Sequence, residues 1–177
     1  MIILEDTRQQ SAKHYKKNKY FEEQGIIIHR TKLWVGDYTL PTDQSICIDT
    51  KRDIAELIGD ICGKQHDRFR EELKRAQDAG IKLIILVEDD GGYCDRKKTI
   101  RNDPVTTLQD LFRWKNPRLF IFQGGKQKYP KATKGATLAK ACMTMQKKYG
   151  CEFLFCRTAD SGKMIVEILT GERNGLD

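Results

Sequence analysis

Two acidic residues and one lysine stand at positions from which they could act together on a phosphate group. Asp49 and Lys51 are separated by one residue in an apolar, strand-like run. Because alternate side chains of a strand share a face, we expect these two to point the same way and Thr50 the other. Pro41-Thr42-Asp43-Gln44 suits a tight turn, and a hairpin at that turn would bring Asp37 alongside Asp49. The sequence therefore predicts two carboxylates and one ammonium in a small volume.

Such a set has the chemistry that phosphodiester hydrolysis requires. Mg²⁺ favours carboxylate, carbonyl and water oxygens, and it usually takes only one or two protein carboxylates. A bound metal ion can acidify a water molecule, and a neighbouring lysine can hold that water or a phosphate oxygen. The alternative is a surface hairpin whose acid and base form a solvated ion pair. For an Asp-x-Lys pattern alone that alternative is the more common one, so the flanking motifs must decide.

Composition and charge narrow the class of protein. The chain has 177 residues, 39% apolar and 32% charged, which suits a single globular domain over residues 1–177. It lacks an apolar run of membrane-spanning length, and its first residues meet an acid too early for a signal peptide, so we expect a cytoplasmic location. Six cysteines show no metal-binding spacing, which predicts free thiols in a reducing compartment.

Positive charge is concentrated in the second half of the chain. Residues 91–157 contain 15 Lys and Arg against 4 Asp and Glu, whereas the remainder contains 17 against 21, giving +7 overall. A basic segment beside an acidic region indicates a polyanion partner, with mere solubility as the alternative. The candidate phosphate contacts are Arg8, Arg68, Lys97, Lys98, Arg101, Lys126, Lys128, Lys131 and Lys134. Tyr93 and Trp114 could stack on unpaired bases or pack in the core.

Strands and helices alternate along the chain, which predicts an α/β sandwich with a mixed sheet. The expected strands are about 2–4, 26–28, 33–38, 46–51, 81–88, 119–122 and 152–156, and the expected helices about 12–24, 54–61, 67–76, 106–113, 136–148 and 159–169. The strand at 81–88 is almost wholly apolar, so it should be central and covered on both faces. Residues 91–118 look like an irregular basic insertion. In the first helix we expect a Ser11 cap, Tyr15 and Phe21 inside, and Lys13, Lys16, Lys17 and Lys19 outside.

The order of the motifs resembles the nuclease domain of the XPF family, which comprises structure-specific DNA endonucleases of the PD-(D/E)xK superfamily. The matching motifs are Asp6-Thr7-Arg8, Gly36-Asp37-Tyr38, Ile48-Asp49-Thr50-Lys51, Leu57-Ile58, Arg68-Phe69 and Val87-Glu88. The resemblance implies a restriction-endonuclease-like three-layer sandwich and a Mg²⁺ or Mn²⁺ cofactor. It also implies duplex or branched DNA as the partner, in repair, recombination or replication.

Carried over by position, the resemblance implies that Asp6, Asp37 and Asp49 hold the metal ion and that Lys51 serves the attacking water. Asp6 could instead cap the following helix, and Arg8 could bind the scissile phosphate or pair with Asp6. His66 is a weaker candidate, for proton transfer or for a structural role.

The chain departs from the family pattern at three places. Gln9 stands where the family has glutamate, and Asp-Thr-Lys replaces Glu-Arg-Lys. The family has an acid four residues after the lysine, but that position is Ala55 in this sequence, and Glu56 stands one residue further.

Members of this family often have a helix-hairpin-helix module after the nuclease domain, and from the length of the sequence we do not expect one here. Recognition of branched DNA would then come from the insertion, a homodimer or a partner DNA-binding protein. A compact form of this kind resembles bacterial or phage proteins, located at the nucleoid or in the host cytoplasm. Two alternatives stay open: a non-catalytic DNA-binding or scaffold subunit with the same fold, and a nuclease directed at RNA.

Overall fold

A computed structural model describes residues 1–9 and 15–172 as a mixed sheet between two layers of helices. The strands are β1 (Ile2–Asp6), β2 (Ile27–Thr31), β3 (Tyr38–Thr39), β4 (Ile46–Lys51), β5 (Lys82–Glu88), β6 (Gly92–Tyr93), β7 (Arg101–Asn102), β8 (Phe122–Gln123), β9 (Lys126–Gln127) and β10 (Glu152–Cys156). The helices are α1 (Tyr15–Glu23), α2 (Ile54–Cys62), α3 (His66–Asp78), α4 (Leu108–Leu111), α5 (Gly135–Tyr149) and α6 (Ser161–Thr170), with a 3-10 turn at Pro117–Phe120. The predicted α/β fold class with a mixed central sheet is confirmed.

Six strands form the central sheet in the order β10-β5-β4-β3-β1-β2. Within the described residues, β3 is the one strand of this sheet that runs antiparallel to its neighbours; the other neighbouring pairs are parallel. The carboxyl ends of β1, β4 and β5 therefore meet at one edge of the sheet, and β3 begins at that same edge. In parallel sheets this edge is where functional side chains gather.

The two faces of the sheet carry separate apolar cores. One face packs against α2, α3 and α5, and the other against α1 and α6. Strand β5 is buried on both faces because Leu83, Ile85 and Val87 point to the first core while Ile84 and Leu86 point to the second. This confirms the prediction of a covered central strand.

Helix α2 begins where its sequence predicts. Asp53 accepts a hydrogen bond from the amide of Glu56 at 2.7 Å, which satisfies one of the free N–H groups of the first turn. No helix in residues 1–9 and 15–172 is long and apolar enough to cross a bilayer. All six cysteines are free thiols, as predicted.

Three local predictions are wrong. Residues 119–122 do not form a strand of the central sheet: they divide between the 3-10 turn, which Asn116 caps, and the short β8–β9 hairpin. Residues 33–37 are not strand: β3 begins at Tyr38, although the backbone of Asp37 already forms hydrogen bonds with Ile48 and Asp6. In α1, Tyr15 is exposed and Lys17 is buried, because Lys17 and Phe21, four residues apart, share the inner face. The predicted Ser11 cap and Lys13 lie outside the described residues.

Candidate active site

A cavity of about 610 Å³ opens at the sheet edge where β1, β4 and β5 end. Among the residues that the structure describes, six acidic and six basic side chains line it, so opposite charges are interleaved around one concave surface. The lining residues are Asp6, Arg8, Gln9, Lys17, Gly36, Asp37, Asp49, Thr50, Lys51, Arg52, Glu56, Arg68, Glu72, Arg75 and Glu88. The acids and the lysine predicted from the sequence therefore share one cavity.

Gly36 allows Asp37 to reach this edge. Its φ is +70°, and a Cβ there would lie 2.9 Å from the carbonyl oxygen of Ile48, so both conformation and space call for glycine. The amide of Asp37 donates to the same Ile48 carbonyl at 2.7 Å. Oδ2 of Asp37 accepts from the amide and the hydroxyl of Thr50, at 2.8 and 2.7 Å. Asp37 is thus held against β4, beside Asp49.

Asp49, Lys51 and Asp60 form a buried ionic triad. The ammonium of Lys51 lies 2.7 Å from Oδ2 of Asp49 and 2.7 Å from Oδ2 of Asp60, and the three residues are 6%, 5% and 4% exposed. The same ammonium lies 5.2 Å from the centre of the Phe69 ring on α3. The prediction that Asp49 and Lys51 share a face is confirmed, and that face is the one covered by α2 and α3.

The environment opposes ionisation of Asp49 and favours that of Lys51. Burial raises the pKa of Asp49, the carboxylates of Asp37 and Glu72 raise it further, and only Lys51 lowers it. For Lys51, burial lowers the pKa, but Asp49 and Asp60 outweigh it, so the pKa is raised. The lysine therefore stays an ammonium, in a cavity where negative charge is in excess next to Asp49.

Asp6 is engaged on both carboxylate oxygens. Oδ1 accepts from the amide and the Nε of Arg8, both at 2.7 Å, and Oδ2 accepts from Nη2 of Arg8 and the amide of Leu33, both at 2.8 Å. Burial raises the pKa of Asp6, but these hydrogen bonds outweigh burial and the pKa is lowered. Of the two roles proposed for Arg8, the structure contains the ion pair with Asp6. A role for Asp6 as metal ligand stays a prediction, and it would require these bonds to rearrange.

On the other face of the sheet, Glu88 pairs with Lys17. Both side chains are buried, at 4% and 5% exposure, and the ammonium of Lys17 contacts Oε1 of Glu88. Glu88 ends β5, and Lys17 is supplied by α1. The cavity thus contains a second buried acid–lysine pair.

The predicted DNA-binding residues divide into two groups. Arg8 and Arg68 line the cavity, together with Arg52 and Arg75, which the sequence did not single out. The others are exposed on segments outside the cavity lining. They are Lys97, Lys98 and Arg101 around the β6–β7 hairpin, Lys126 and Lys128 around the β8–β9 hairpin, and Lys131 and Lys134 between that hairpin and α5. The β6–β7 hairpin begins at Gly92, four residues after Glu88, so it starts close to the cavity.

The remaining candidates have other surroundings. Tyr93 is 53% exposed, with Arg101 and Lys98 at 5.6 and 6.0 Å from its ring centre, whereas Trp114 packs against the core. Nδ1 of His66 lies 2.7 Å from the carbonyl oxygen of Ile61, a helix-packing contact that supports the structural role.

The donor set suits a hard cation held by few protein ligands. In the described parts of the chain, no group of three or more His, Cys, Asp or Glu has metal-binding spacing. Mg²⁺ usually needs only one or two carboxylates and completes its shell with water. Oδ2 of Asp49 is buried and lacks a hydrogen bond of good geometry, although Lys51 is near, and Asp37 adjoins it. Asp37 and Asp49 therefore fit a Mg²⁺ or Mn²⁺ ion by donor chemistry.

Asp60 is the main site residue that the sequence analysis missed. It occurs three residues after Leu57 and immediately before Ile61, on the apolar inner face of α2. An acid among inner-face positions is a detectable signal, because a buried carboxylate needs a partner. Glu72 was harder to detect from the sequence because its contact is long-range: it accepts a hydrogen bond from the Gly36 amide at 3.0 Å, across 36 residues of sequence.

Comparisons with known proteins agree with this architecture. A family model, the ERCC4 domain, matches residues 6–168. Two solved structures of XPF from Aeropyrum pernix, one of them in complex with DNA, superpose with a TM-score of 0.58 each, at 16% and 13% identity. They cover 98% and 99% of this chain, and the chain spans 66% and 68% of theirs, about two thirds of their length. No curated protein matches. The chain belongs to the ERCC4 domain family and has the fold of the XPF nuclease domain.

Proposed function

We propose that the chain is a divalent-metal-dependent endodeoxyribonuclease that cuts branched or otherwise structured DNA in repair, recombination or replication. The observation that carries this proposal is the convergence of Asp37, Asp49 and Lys51 on one cavity whose rim bears four arginines. Membership of the ERCC4 domain family, and an XPF complex with DNA among the similar structures, support it. We propose a single nuclease domain over residues 1–177, with the basic segment at about 91–118 as an insertion.

Each group in the cavity has a defined task in this proposal. Asp37 and Asp49 would hold Mg²⁺ or Mn²⁺, with Asp6 as a further candidate, and the ion would acidify water and offset charge on the phosphate. Lys51 donates hydrogen bonds to the attacking water or to a phosphate oxygen. Asp60 keeps Lys51 protonated and fixes its position. The rim arginines hold the DNA backbone by charge-assisted hydrogen bonds.

Cleavage of labelled duplex, splayed-arm, flap and four-way-junction DNA tests the proposal. Wild type is compared with Asp49→Asn in Mg²⁺, Mn²⁺ or EDTA, and Asp67→Asn is the matched control because Asp67 is exposed on α3, outside the cavity lining. We expect metal-dependent cutting by wild type and Asp67→Asn, and loss of cutting with retained binding in Asp49→Asn. Structured RNA substrates in the same panel separate a DNA nuclease from one directed at RNA.

A second candidate function is a DNA-binding or scaffold subunit without catalysis. Lys51 is already enclosed between two carboxylates, and both oxygens of Asp6 are taken, so the charges of the cavity are largely balanced within the protein. Salt-sensitive DNA binding without cutting in either metal would support this function and exclude the nuclease. Light scattering with and without DNA would show whether a homodimer or a partner is needed.

A further inference from the structure

A second, smaller cavity lies beside the β8–β9 hairpin. Its volume is about 390 Å³, and none of the described residues lines both this cavity and the candidate active site. We call it the Tyr129 pocket, and its lining residues are Arg118, Lys128, Tyr129, Pro130, Lys131 and Ala132.

The local chain path forms this pocket. The 3-10 turn Pro117–Phe120 supplies Arg118. The hairpin then reverses at Gly124 and Gly125, whose φ angles are +58° and +75°, values that glycine adopts without strain. The returning chain is fixed by the Lys128 amide, which donates to the carbonyl of Ile121 at 2.8 Å. Tyr129 and Pro130, which follow Lys128, therefore lie opposite the 3-10 turn that supplies Arg118.

The pocket combines an accessible aromatic ring with cations. Tyr129 is 39% exposed, and Arg118 Cζ and Lys128 Nζ lie 5.8 and 5.6 Å from its ring centre. Within residues 1–9 and 15–172, Arg118, Lys128 and Lys131 form no ion pair. Residues 111–151 contain ten Lys and Arg and no Asp or Glu. The positive charge around the ring is thus left for an external anion.

We propose that the Tyr129 pocket binds one unpaired nucleotide of a DNA strand. The base stacks on Tyr129, and Arg118, Lys128 and Lys131 hold the adjoining phosphates. Aromatic rings within a cationic groove bind single strands without sequence preference, because every base has a π face. An acidic peptide would use the cations but would not stack on the exposed ring. The proposal rests on the proposed nuclease function in one respect: it takes the strand to be part of the DNA substrate, which would favour substrates with a single-stranded arm.

Binding measured in EDTA tests the proposal without any cleavage. Fluorescence anisotropy compares oligo-dT, a blunt duplex and a duplex with a dT tail over a range of salt concentrations. We expect Tyr129→Ala to weaken binding of oligo-dT and of the tailed duplex by about 5- to 150-fold, as for loss of one stacked base. Tyr129→Phe keeps the ring and should bind like wild type. Lys131→Gln should lower the slope of log K against log salt for oligo-dT by about 0.7, the value for one phosphate contact.

The control for charge is Lys147→Gln, which removes one exposed lysine of the same acid-free stretch but lies outside the pocket. It should leave the preference for the tailed over the blunt duplex unchanged. Three results would overturn the proposal: unchanged oligo-dT binding in Tyr129→Ala, an equal loss on the blunt duplex, or competition by polyglutamate or anionic vesicles as strong as by oligo-dT at equal charge. Tighter binding of oligo-rU would overturn the assignment to DNA. If the wild-type protein binds DNA through Tyr129 but cuts none of the substrates, the nuclease function is refuted and the nucleotide-binding role of the Tyr129 pocket is retained.

Discussion

Replacement of Lys51 by methionine is expected to destabilise the fold at neutral pH, besides any effect on catalysis. In the wild type the ammonium lies 2.7 Å from both Asp49 and Asp60, and all three residues are at least nine-tenths buried. Methionine has a similar length and packs well against the nearby Phe69 ring, so the cavity left behind is small. The loss comes instead from two buried carboxylates without their cation.

The size of this effect follows from the burial of the pair. Removal of one partner of a buried ion pair costs about 3–5 kcal/mol, because the other charge is left uncompensated. The total stability of a domain is only about 5–15 kcal/mol, so this is a large fraction of it. For a chain of this size the unfolding midpoint should fall by roughly 6–20 °C, at about 2–4 °C per kcal/mol.

The deficit should also depend on pH. Burial raises the pKa of Asp49 and Lys51 lowers it, so the variant has a still higher pKa at Asp49 in the folded state. A folded state that binds a proton more tightly than the unfolded chain loses stability as pH rises. The deficit of Lys51→Met relative to wild type should therefore grow as pH rises through about 8, the wild-type pKa of Asp49, and it should not grow in acid.

Urea unfolding followed by circular dichroism in EDTA, from pH 4 to pH 9, measures the loss in free energy of unfolding and its dependence on pH. Lys74→Met is the matched control, because Lys74 pairs with Glu71 on the exposed face of α3 and should cost less than about 1 kcal/mol. A Lys51→Met variant within 1 kcal/mol of the control, or a deficit that grows at low pH, would refute the buried triad as described.

Three further outcomes are expected. Gly36→Ala should lower the free energy of unfolding by about 1–2 kcal/mol because of the left-handed conformation at this position, and by more because of the contact with the Ile48 carbonyl. Urea unfolding measures this loss, and a variant as stable as wild type would contradict the prediction. Asp6→Asn should cost about 1.5–3 kcal/mol at pH 7, since Asp6 accepts charge-assisted bonds from Arg8. Because the pKa of Asp6 is lowered, this contribution is lost as pH falls below the usual aspartate range, so the stabilities of wild type and variant should converge in acid titrations. Mg²⁺ or Mn²⁺ at 100 times its Kd should stabilise wild type by about 2.7 kcal/mol in thermal unfolding but not Asp49→Asn; equal shifts would exclude Asp49 as a ligand.

Several parts of the fold could be predicted from local sequence. The apolar run before Glu88 predicted a strand covered on both faces, and Asp53 predicted the start of α2. The apolar run at residues 119–122 was wrongly predicted to be a strand of the sheet. Asn116 and Pro117 start a 3-10 turn there, and the reversal at Gly124-Gly125 leaves only two residues to pair. Where strong turn signals flank a short apolar run, turn geometry outweighs strand propensity.

The first helix shows how a sequence pattern can mislead about orientation. Tyr15 and Phe21 are six residues apart and cannot share one face, whereas Lys17 and Phe21 can. Lys17 was predicted to face solvent because it is charged, yet Glu88 at the end of β5 gives it a buried partner. A charge is buried where a partner meets it, and the sequence of α1 contains no sign of that partner.

From local sequence, Gly36 and Asp37 were placed within a strand that in fact begins at Tyr38. It could be predicted correctly that Asp49 and Lys51 share a face and that helices alternate with strands along the chain. These follow from the periods of 2 and 3.6 residues and from local turn chemistry. The contact between Asp60 and Lys51 could not be predicted in this way, because it depends on how α2 crosses β4 in the folded chain. A periodicity defines one face of each element, but which two faces meet is a result of packing across the whole chain.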